Sequence, residues 1–399
     1  EITEGHFACT VDSDCPTDWT CRSDMRCWQQ PGTSDGGGPD SGQSRADAGP
    51  DAGPSDAGTD AGFDACVPAP NDVDLLIMVD NSGSMAHEQA ALATAFPDLI
   101  EALATGDTNG DGIADVEPIT SLHVGVVSSD MGTGRMDVPT CNVEGDDGLL
   151  IGTPRGEGCS GRHAPPFLQF MRGDSTSALS GDFSCLAELG IHGCGFEQQL
   201  DAVLKALTPP DSPVLFRDGS LGHGGTGANA GFLRDDSVLV TLLVTDEEDC
   251  STDDSELFNP GSTEYTDDLN IRCTSNPDAL YPISRYVDGL LALRADPSQL
   301  VFAALVGMPV DLHDMPVSNV LTDPRMTYRV DPDMTARLLP ACTQGDNRGD
   351  PGRRYLEVAQ GLETGGAQVL ARSICEPNFN DTVTALLQTM SPALQRRCL

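Results

Sequence analysis

The sequence predicts a doubly wound, mostly parallel α/β domain with two long disulfide-stapled insertions, preceded by a small cysteine-rich module and a disordered linker. Three observations lead there. Strand-like and helix-like runs alternate from residue 66 to 399, the pattern of a parallel sheet with crossover helices. Two of the strand-like runs, 73–79 and 238–245, are almost continuously apolar, as expected when both faces of a sheet are covered. Composition also divides the 399-residue chain into 1–30, 31–65 and 66–399.

Residues 1–30 hold Cys9, Cys15, Cys21 and Cys27 at an even spacing, with Trp19 and Trp28, the chain's only tryptophans. A segment this short needs staples in place of a core, so two disulfides are expected, with 9–21/15–27 one of three pairings. Residues 31–65 repeat Asp-Ala-Gly at 47–49, 51–53, 56–58 and 60–62. With almost no apolar side chain to bury, they read as an extended spacer. From 66 onward the expected strands are 73–79, 122–128, 238–245, 300–306 and a short one near 368–371. The expected helices are 86–104, 195–207, 279–293, 355–361 and 381–393. In the 195–207 run Phe196, Leu200, Val203, Leu204 and Leu207 share one face. The insertions fall at about 131–192 and 308–350, rich in glycine, proline and polar residues; loops of that length are functional or stapled.

There are 62 acidic against 22 basic residues, a net charge of −40. Such a chain repels nucleic acid and favours cations and basic partners. Fourteen cysteines without a C-x2-C pair point to disulfides in an oxidising, extracellular compartment and away from zinc. Proximity along the chain favours Cys141–Cys159, Cys185–Cys194, Cys250–Cys273 and Cys342–Cys375, with Cys66–Cys398 closing the domain. No apolar run reaches the ~20 residues of a membrane span. The chain opens on Glu1, which reads as a secreted protein without its leader; anchoring through the N-terminal region is left open.

The most informative segment is the apolar run Leu75 to Val79 followed by Asp80-Asn81-Ser82-Gly83-Ser84-Met85. Asp-x-Ser-x-Ser places three oxygen-bearing side chains on one turn at the carboxyl edge of a buried strand. Hard divalent cations prefer such oxygen donors, and open α/β sheets bind ligands at that edge. Together with the helical run that follows, the motif resembles the metal-ion-dependent adhesion site of von Willebrand factor A domains. The stretch Leu356–Gly366 is similar to their penultimate helix-to-strand turn. The resemblance covers most of 70–396 and implies a Rossmann-like fold with a cation (Mg²⁺ or Mn²⁺, with Ca²⁺ a further candidate) held by Ser82 and Ser84, and by Asp80 through water. It implies a further aspartate after a neighbouring strand, and Asp246 in Thr245-Asp246-Glu247 takes that role where the family has Thr-Asp-Gly. The acidic Glu247, Glu248 and Asp249 either tighten the site, build another, or form a solvated turn. The family's third ligand, a threonine, has no counterpart: one register puts Cys194 there and another Glu197. A carboxylate suits Mg²⁺ better than a disulfide sulfur, so Glu197 is preferred, although it could equally serve only the helix N-terminus.

A second loop, Asp107-Thr108-Asn109-Gly110-Asp111-Gly112-Ile113-Ala114-Asp115, fits D-x-[DN]-x-D-G. It resembles EF-hand-like calcium loops, with Asp107, Asn109, Asp111, the Ile113 carbonyl and Asp115 as ligands. It departs from them where Pro118 replaces the closing glutamate. Lying between the first helix and the second strand, it is expected to stiffen the scaffold. Arg172-Gly173-Asp174 is a short chance match to an integrin-binding tripeptide. The glycine-rich 221–231 lacks a phosphate-loop lysine and reads as a flexible connection.

The leading functional expectation is a secreted or cell-surface, metal-dependent protein-binding module of adhesion type. Its cation sits at Asp80, Ser82, Ser84, Asp246 and Glu197, its partner is a protein, and the Asp-Ala-Gly stalk resembles those of bacterial surface proteins. The alternative is a calcium-stiffened structural element of a surface appendage or matrix. An enzyme built on Asp246, Glu247 and Glu197 is not expected, because no nucleophile or general base is indicated.

Overall fold

A computed structural model describes residues 19–21, 27–29, 71–156, 158–345 and 347–394. The chain divides into two compact units, Glu1–Gly62 and Phe63–Leu399. In the first, β1 (Trp19–Cys21) and β2 (Cys27–Gln29) pair antiparallel, with Cys21 opposite Cys27. The remainder of the cysteine module, the linker and the Cys66–Cys398 pair lie outside the described residues.

The second unit is built on a six-stranded sheet. Its strands are β3 (Asp72–Val79), β4 (Ser121–Ser128), β5 (Leu168–Met171), β6 (Val238–Val244), β7 (Leu300–Val306) and β10 (Gln368–Ser373). A separate hairpin joins β8 (Cys342–Gln344) and β9 (Asn347–Gly349). The sheet order is β10-β7-β6-β3-β4-β5, parallel except for β5, which pairs antiparallel with β4. Helices α1 (Ala86–Thr105), α2 (Thr176–Ala187) and α8 (Asn380–Leu394) cover one face. Helices α3 (Gln199–Leu207), α5 (Ile283–Leu291) and α7 (Arg353–Thr364) cover the other. The short α4 (Arg272–Ser275) and α6 (Val317–Leu321) lie in connections.

The continuous apolar run in β3 follows from this double coverage. Val73, Leu75, Ile77 and Val79 point into the core under α1, whereas Leu76 and Met78 point into the core under α3 and α7. Any one-residue slip would exchange two buried faces. Helix α1 ends at Gly106, whose φ of 77° places it in the left-handed region, where its N–H reaches the Ala102 carbonyl at 2.8 Å. After β3 the chain moves to β4 on one side and later returns to β6 on the other. The carboxyl ends of β3 and β6 therefore flank the switch point of the sheet, where a crevice opens.

The first insertion is not only loop: it supplies the edge strand β5 and helix α2. The predicted helix 195–207 begins only at Gln199, because the preceding residues are drawn into other pairings: Gln198 N–H donates to Ser129 O at 2.9 Å and Cys250 N–H to Glu197 O at 2.8 Å. The predicted helix 279–293 shortens to Ile283–Leu291, starting after Pro282. The 221–231 segment is packed rather than loose. Asn229 accepts from Leu150 N–H and donates to the carbonyls of Gly148 and Ala206.

Among the described residues, four disulfides join Cys141–Cys194, Cys159–Cys185, Cys250–Cys273 and Cys342–Cys375. The last two pairs agree with the sequence expectation. Cys141–Cys159 and Cys185–Cys194 are corrected. Loop-closure entropy grows only logarithmically, so the 53-residue separation of Cys141 and Cys194 adds only about 1 kcal/mol to closure relative to a pairing with Cys159. Packing decides instead: Cys194 is buried with Val138, Phe196 and Phe258, and Cys141 packs against that cluster. Peptide mapping without reduction should recover 141–194 and 159–185 linked peptides; a 141–159 peptide would contradict this fold of the first insertion.

Candidate functional site

The turn after β3 is held from several sides. Asp80 N–H continues the sheet by donating to Val244 O at 3.0 Å. The Asp80 side chain is fully buried. Its Oδ1 accepts from Ser82 N–H at 2.8 Å and from the Ser129 hydroxyl at 3.2 Å, and its Oδ2 accepts from the Thr245 hydroxyl at 2.6 Å. Thr245 in turn accepts from Gln199 Nε2 at 2.9 Å. From α1, Gln89 Nε2 donates to Asp80 O and to Gly190 O, both at 2.9 Å. Gly193 N–H meets Asn81 O at 2.8 Å. A side chain at 193 would collide with that of Asn81, so only glycine lets the two loops touch.

These contacts aim the motif's hydroxyls outward. Ser82 Oγ and Ser84 Oγ lie 3.4 Å apart, and Ser84 donates to Asp246 Oδ1 at 3.1 Å. Ser82, Ser84, Asp246, Glu197 and Glu247 line one cleft of about 690 Å³. Asp80 instead lies behind it, tying the turns after β3, β4 and β6 together. Cys194 is locked in its disulfide and fully buried. Of the two alternatives for the missing threonine, the side chain that reaches the cleft is Glu197.

Electrostatically the cleft floor is overloaded. Burial, reinforced by the neighbouring Glu247 and Asp80, raises the carboxyls of both Glu197 and Asp246 well above the ordinary range. Burial, with Asp80 and Asp350 nearby, pushes Glu247 up to about 7 despite a hydrogen bond with Glu197. Glu197 is only 3% exposed and its Oε1 has no hydrogen-bond partner among the described residues. A cation bound in this cleft would relieve the repulsion among these buried carboxyls and give the orphaned oxygen a partner. The donor set is two hydroxyls and carboxylate oxygens, which suits Mg²⁺, Mn²⁺ or Ca²⁺. No group of three His, Cys, Asp or Glu among the described residues is placed to hold a metal ion, and any coordination here would draw on the serine hydroxyls as well.

The neighbouring acids Glu248 and Asp249 are engaged by protein donors. Glu248 accepts from Tyr328 Oη at 2.5 Å and from Arg354 N–H at 3.1 Å. Asp249 caps α3 by accepting from Leu200 N–H at 3.0 Å and pairs with Arg354 Nε at 3.0 Å. Both brace the loop that carries Asp246.

The 107–115 loop does gather its polar side chains between α1 and β4. Asp107 spends its carboxylate on its own backbone: Oδ1 accepts from Gly110 N–H and Oδ2 from Gly112 N–H, both at 2.7 Å. Those amides, that of Gly112 foremost, hold its carboxyl below the ordinary range. Asp111 Oδ1 accepts from Ile113 N–H at 2.8 Å, and Asn109 Nδ2 reaches Asp115 Oδ1 at 3.2 Å. The turn is thus closed by internal bonds. In the exposed Arg172-Gly173-Asp174 tripeptide, Arg172 Nε donates to Ile119 O at 3.0 Å and Asp174 accepts from Met171 N–H at 2.8 Å. It forms the turn that follows β5.

Sequence reasoning missed Ser129, Gln89, Arg337 and Arg348. Ser129 directly follows β4 at the same sheet edge as Asp80, a placement that topology alone could have suggested. The two arginines line the cleft from the second insertion and carry no motif. The fold and cleft define an α/β protein with an oxygen-rich crevice at its switch point. Set against known protein families and curated proteins, the chain matches none.

Proposed function

We propose that the chain is an extracellular or cell-surface binding module of the von Willebrand factor A type, engaging a protein partner through a divalent cation in the cleft between β3 and β6. The observation that carries this reading is the convergence of Ser82, Ser84 and Asp246 beside the orphaned, buried Oε1 of Glu197. Ser82, Ser84, Asp246 and Glu197 would hold the ion, and Asp80 would position the two serines through its bonds to Ser82, Ser129 and Thr245. When bound, the ion supplies a coordination position for an oxygen of the partner. Location outside the cell is supported by the four disulfides, and no helix among the described residues is long and apolar enough to cross a membrane. The proposal includes a second, weaker Ca²⁺ position at 107–115 that stiffens the scaffold.

Calorimetric titration tests both parts. Mg²⁺ or Mn²⁺ is expected to bind one site that Asp246→Ala abolishes, and Ca²⁺ an additional site lost in Asp107→Ala. Capture of surface partners should disappear in EDTA. Partner capture that persists in EDTA, with a melting temperature that nonetheless depends on calcium, would favour the structural alternative.

A further inference from the structure

The cleft has a floor and a roof of opposite charge. Its floor presents Asp246, Glu197 and Glu247, more negative charge than one divalent cation carries. The cation alone would therefore exert little pull on an acidic ligand. The roof comes from the second insertion, where Arg337 and Arg348 line the same cleft, in a chain with only 22 basic residues. Their roles differ. Arg348 is occupied: its Nη2 donates to Leu338 O at 2.5 Å and to Asp350 Oδ1 at 2.7 Å. Arg337 donates from Nε to Asp331 at 3.1 Å, and its two terminal nitrogens make no hydrogen bond among the described residues. Its side chain is 42% exposed.

The roof is braced, so Arg337 is presented by a stiff element. It sits on a hairpin in which Val330 bridges Leu338, and Leu339 N–H donates to Arg329 O at 2.7 Å. Arg348 clamps that hairpin from β9. Asp350 N–H donates to Asp246 O at 2.8 Å, and Cys342–Cys375 ties β8 to the segment after β10. Floor and roof are thus fixed to one another before any ligand arrives, which lowers the ordering cost of binding.

We propose that Arg337 is the second contact point of this cleft: its free guanidinium edge takes one carboxylate of an acidic peptide segment, while a second carboxylate of that segment would complete the cation's coordination. A guanidinium matches a carboxylate in a paired, directional way that a point charge cannot. A peptide rather than a small diacid is favoured by the exposed Ile191, which lines the cleft beside the charged groups and offers an apolar contact to a flanking residue. The proposal rests on the cation reading above and adds the ligand's chemistry to it.

The test uses the full chain and synthetic glycine-serine peptides carrying one glutamate, or two glutamates one to four residues apart, with Mg²⁺ uptake by the protein measured separately. In Mg²⁺, at least one two-glutamate spacing should bind about tenfold more tightly than the one-glutamate peptide. Arg337→Ala should reduce that peptide to the one-glutamate level, and Arg337→Lys should restore part of the gain. If Mg²⁺ binds but no spacing outperforms one glutamate, or the gain survives in Arg337→Ala, the Arg337 contact is overturned and the cation site stands. If the wild-type chain takes up no Mg²⁺, the cation reading itself falls, and this one with it.

Discussion

In EDTA the protein is expected to be most stable at about pH 4–5 and to lose several kcal/mol between there and pH 8, the reverse of ordinary acid denaturation. Asp201 is buried on α3, and burial pushes its carboxyl from 3.8 up to about 6 despite Arg285, with Asp249 adding to the rise. Burial likewise pushes Glu248 from 4.5 up to about 7, against the donors Tyr328 and Arg354. A carboxyl whose folded-state pKa exceeds its unfolded value binds more protons when folded. Its contribution is complete below the unfolded value and is lost as pH rises through the folded one, here between about 4 and 7. Each of these groups accounts for on the order of 3 kcal/mol. Glu197, Asp246 and Glu247 act in the same direction, as does self-repulsion in a chain of net charge −40. The acid side is bounded by groups of opposite sense, such as Asp146 and Asp147, which keep lowered values despite burial, the first through Arg155 and Ser128 and the second through His223 and Lys205. At pH 8 a saturating cation should restore about 3 kcal/mol at a hundredfold excess over its dissociation constant. Urea melts at pH 4.5, 6 and 8, with EDTA or Mg²⁺, decide the matter; metal-free stability that is flat or rises with pH would refute the overloaded-floor picture.

How much of this was legible in sequence depends on the range of the interaction that fixes each part. The strands β3, β6 and β7 were readable because burial on both faces writes itself into consecutive residues. The Asp80–Ser84 turn was readable because its geometry is local, and Asp246 because it ends a second such strand. The short edge strand β5 alternates buried and exposed residues within Leu168–Met171, too brief a pattern to separate from loop. Cys194 and Cys141 were mispaired because their meeting is set by a small apolar cluster, not by spacing. Arg337 and Arg348 were invisible for the same reason: nothing near them in sequence marks the cleft, and long-range ties such as the Asp350-to-Asp246 bond and the Cys342–Cys375 disulfide hold their insertion over it.

Glu197→Gln is expected to move stability and cation affinity in opposite directions. The carboxyl is buried with Glu247 and Asp80 as like-charged neighbours, and its Oε1 has no partner. Replacing it by a neutral amide removes repulsion within the metal-free floor and offers Glu247 a donor. At pH 8 in EDTA the variant should therefore be more stable than wild type, by on the order of 1–3 kcal/mol. The same change removes a charged oxygen from the proposed coordination set, so Mg²⁺ affinity should fall tenfold or more. A different role for Glu197 predicts the opposite pattern. Were it present only to complement the N-terminus of α3, which starts two residues later at Gln199, neutralising it would cost about 0.3–1 kcal/mol and leave cation affinity unchanged. Thermal melts in EDTA paired with Mg²⁺ calorimetry separate the two roles with one variant. A gain in stability with a loss of affinity assigns Glu197 to the ion; a loss of stability with unchanged affinity assigns it to the helix.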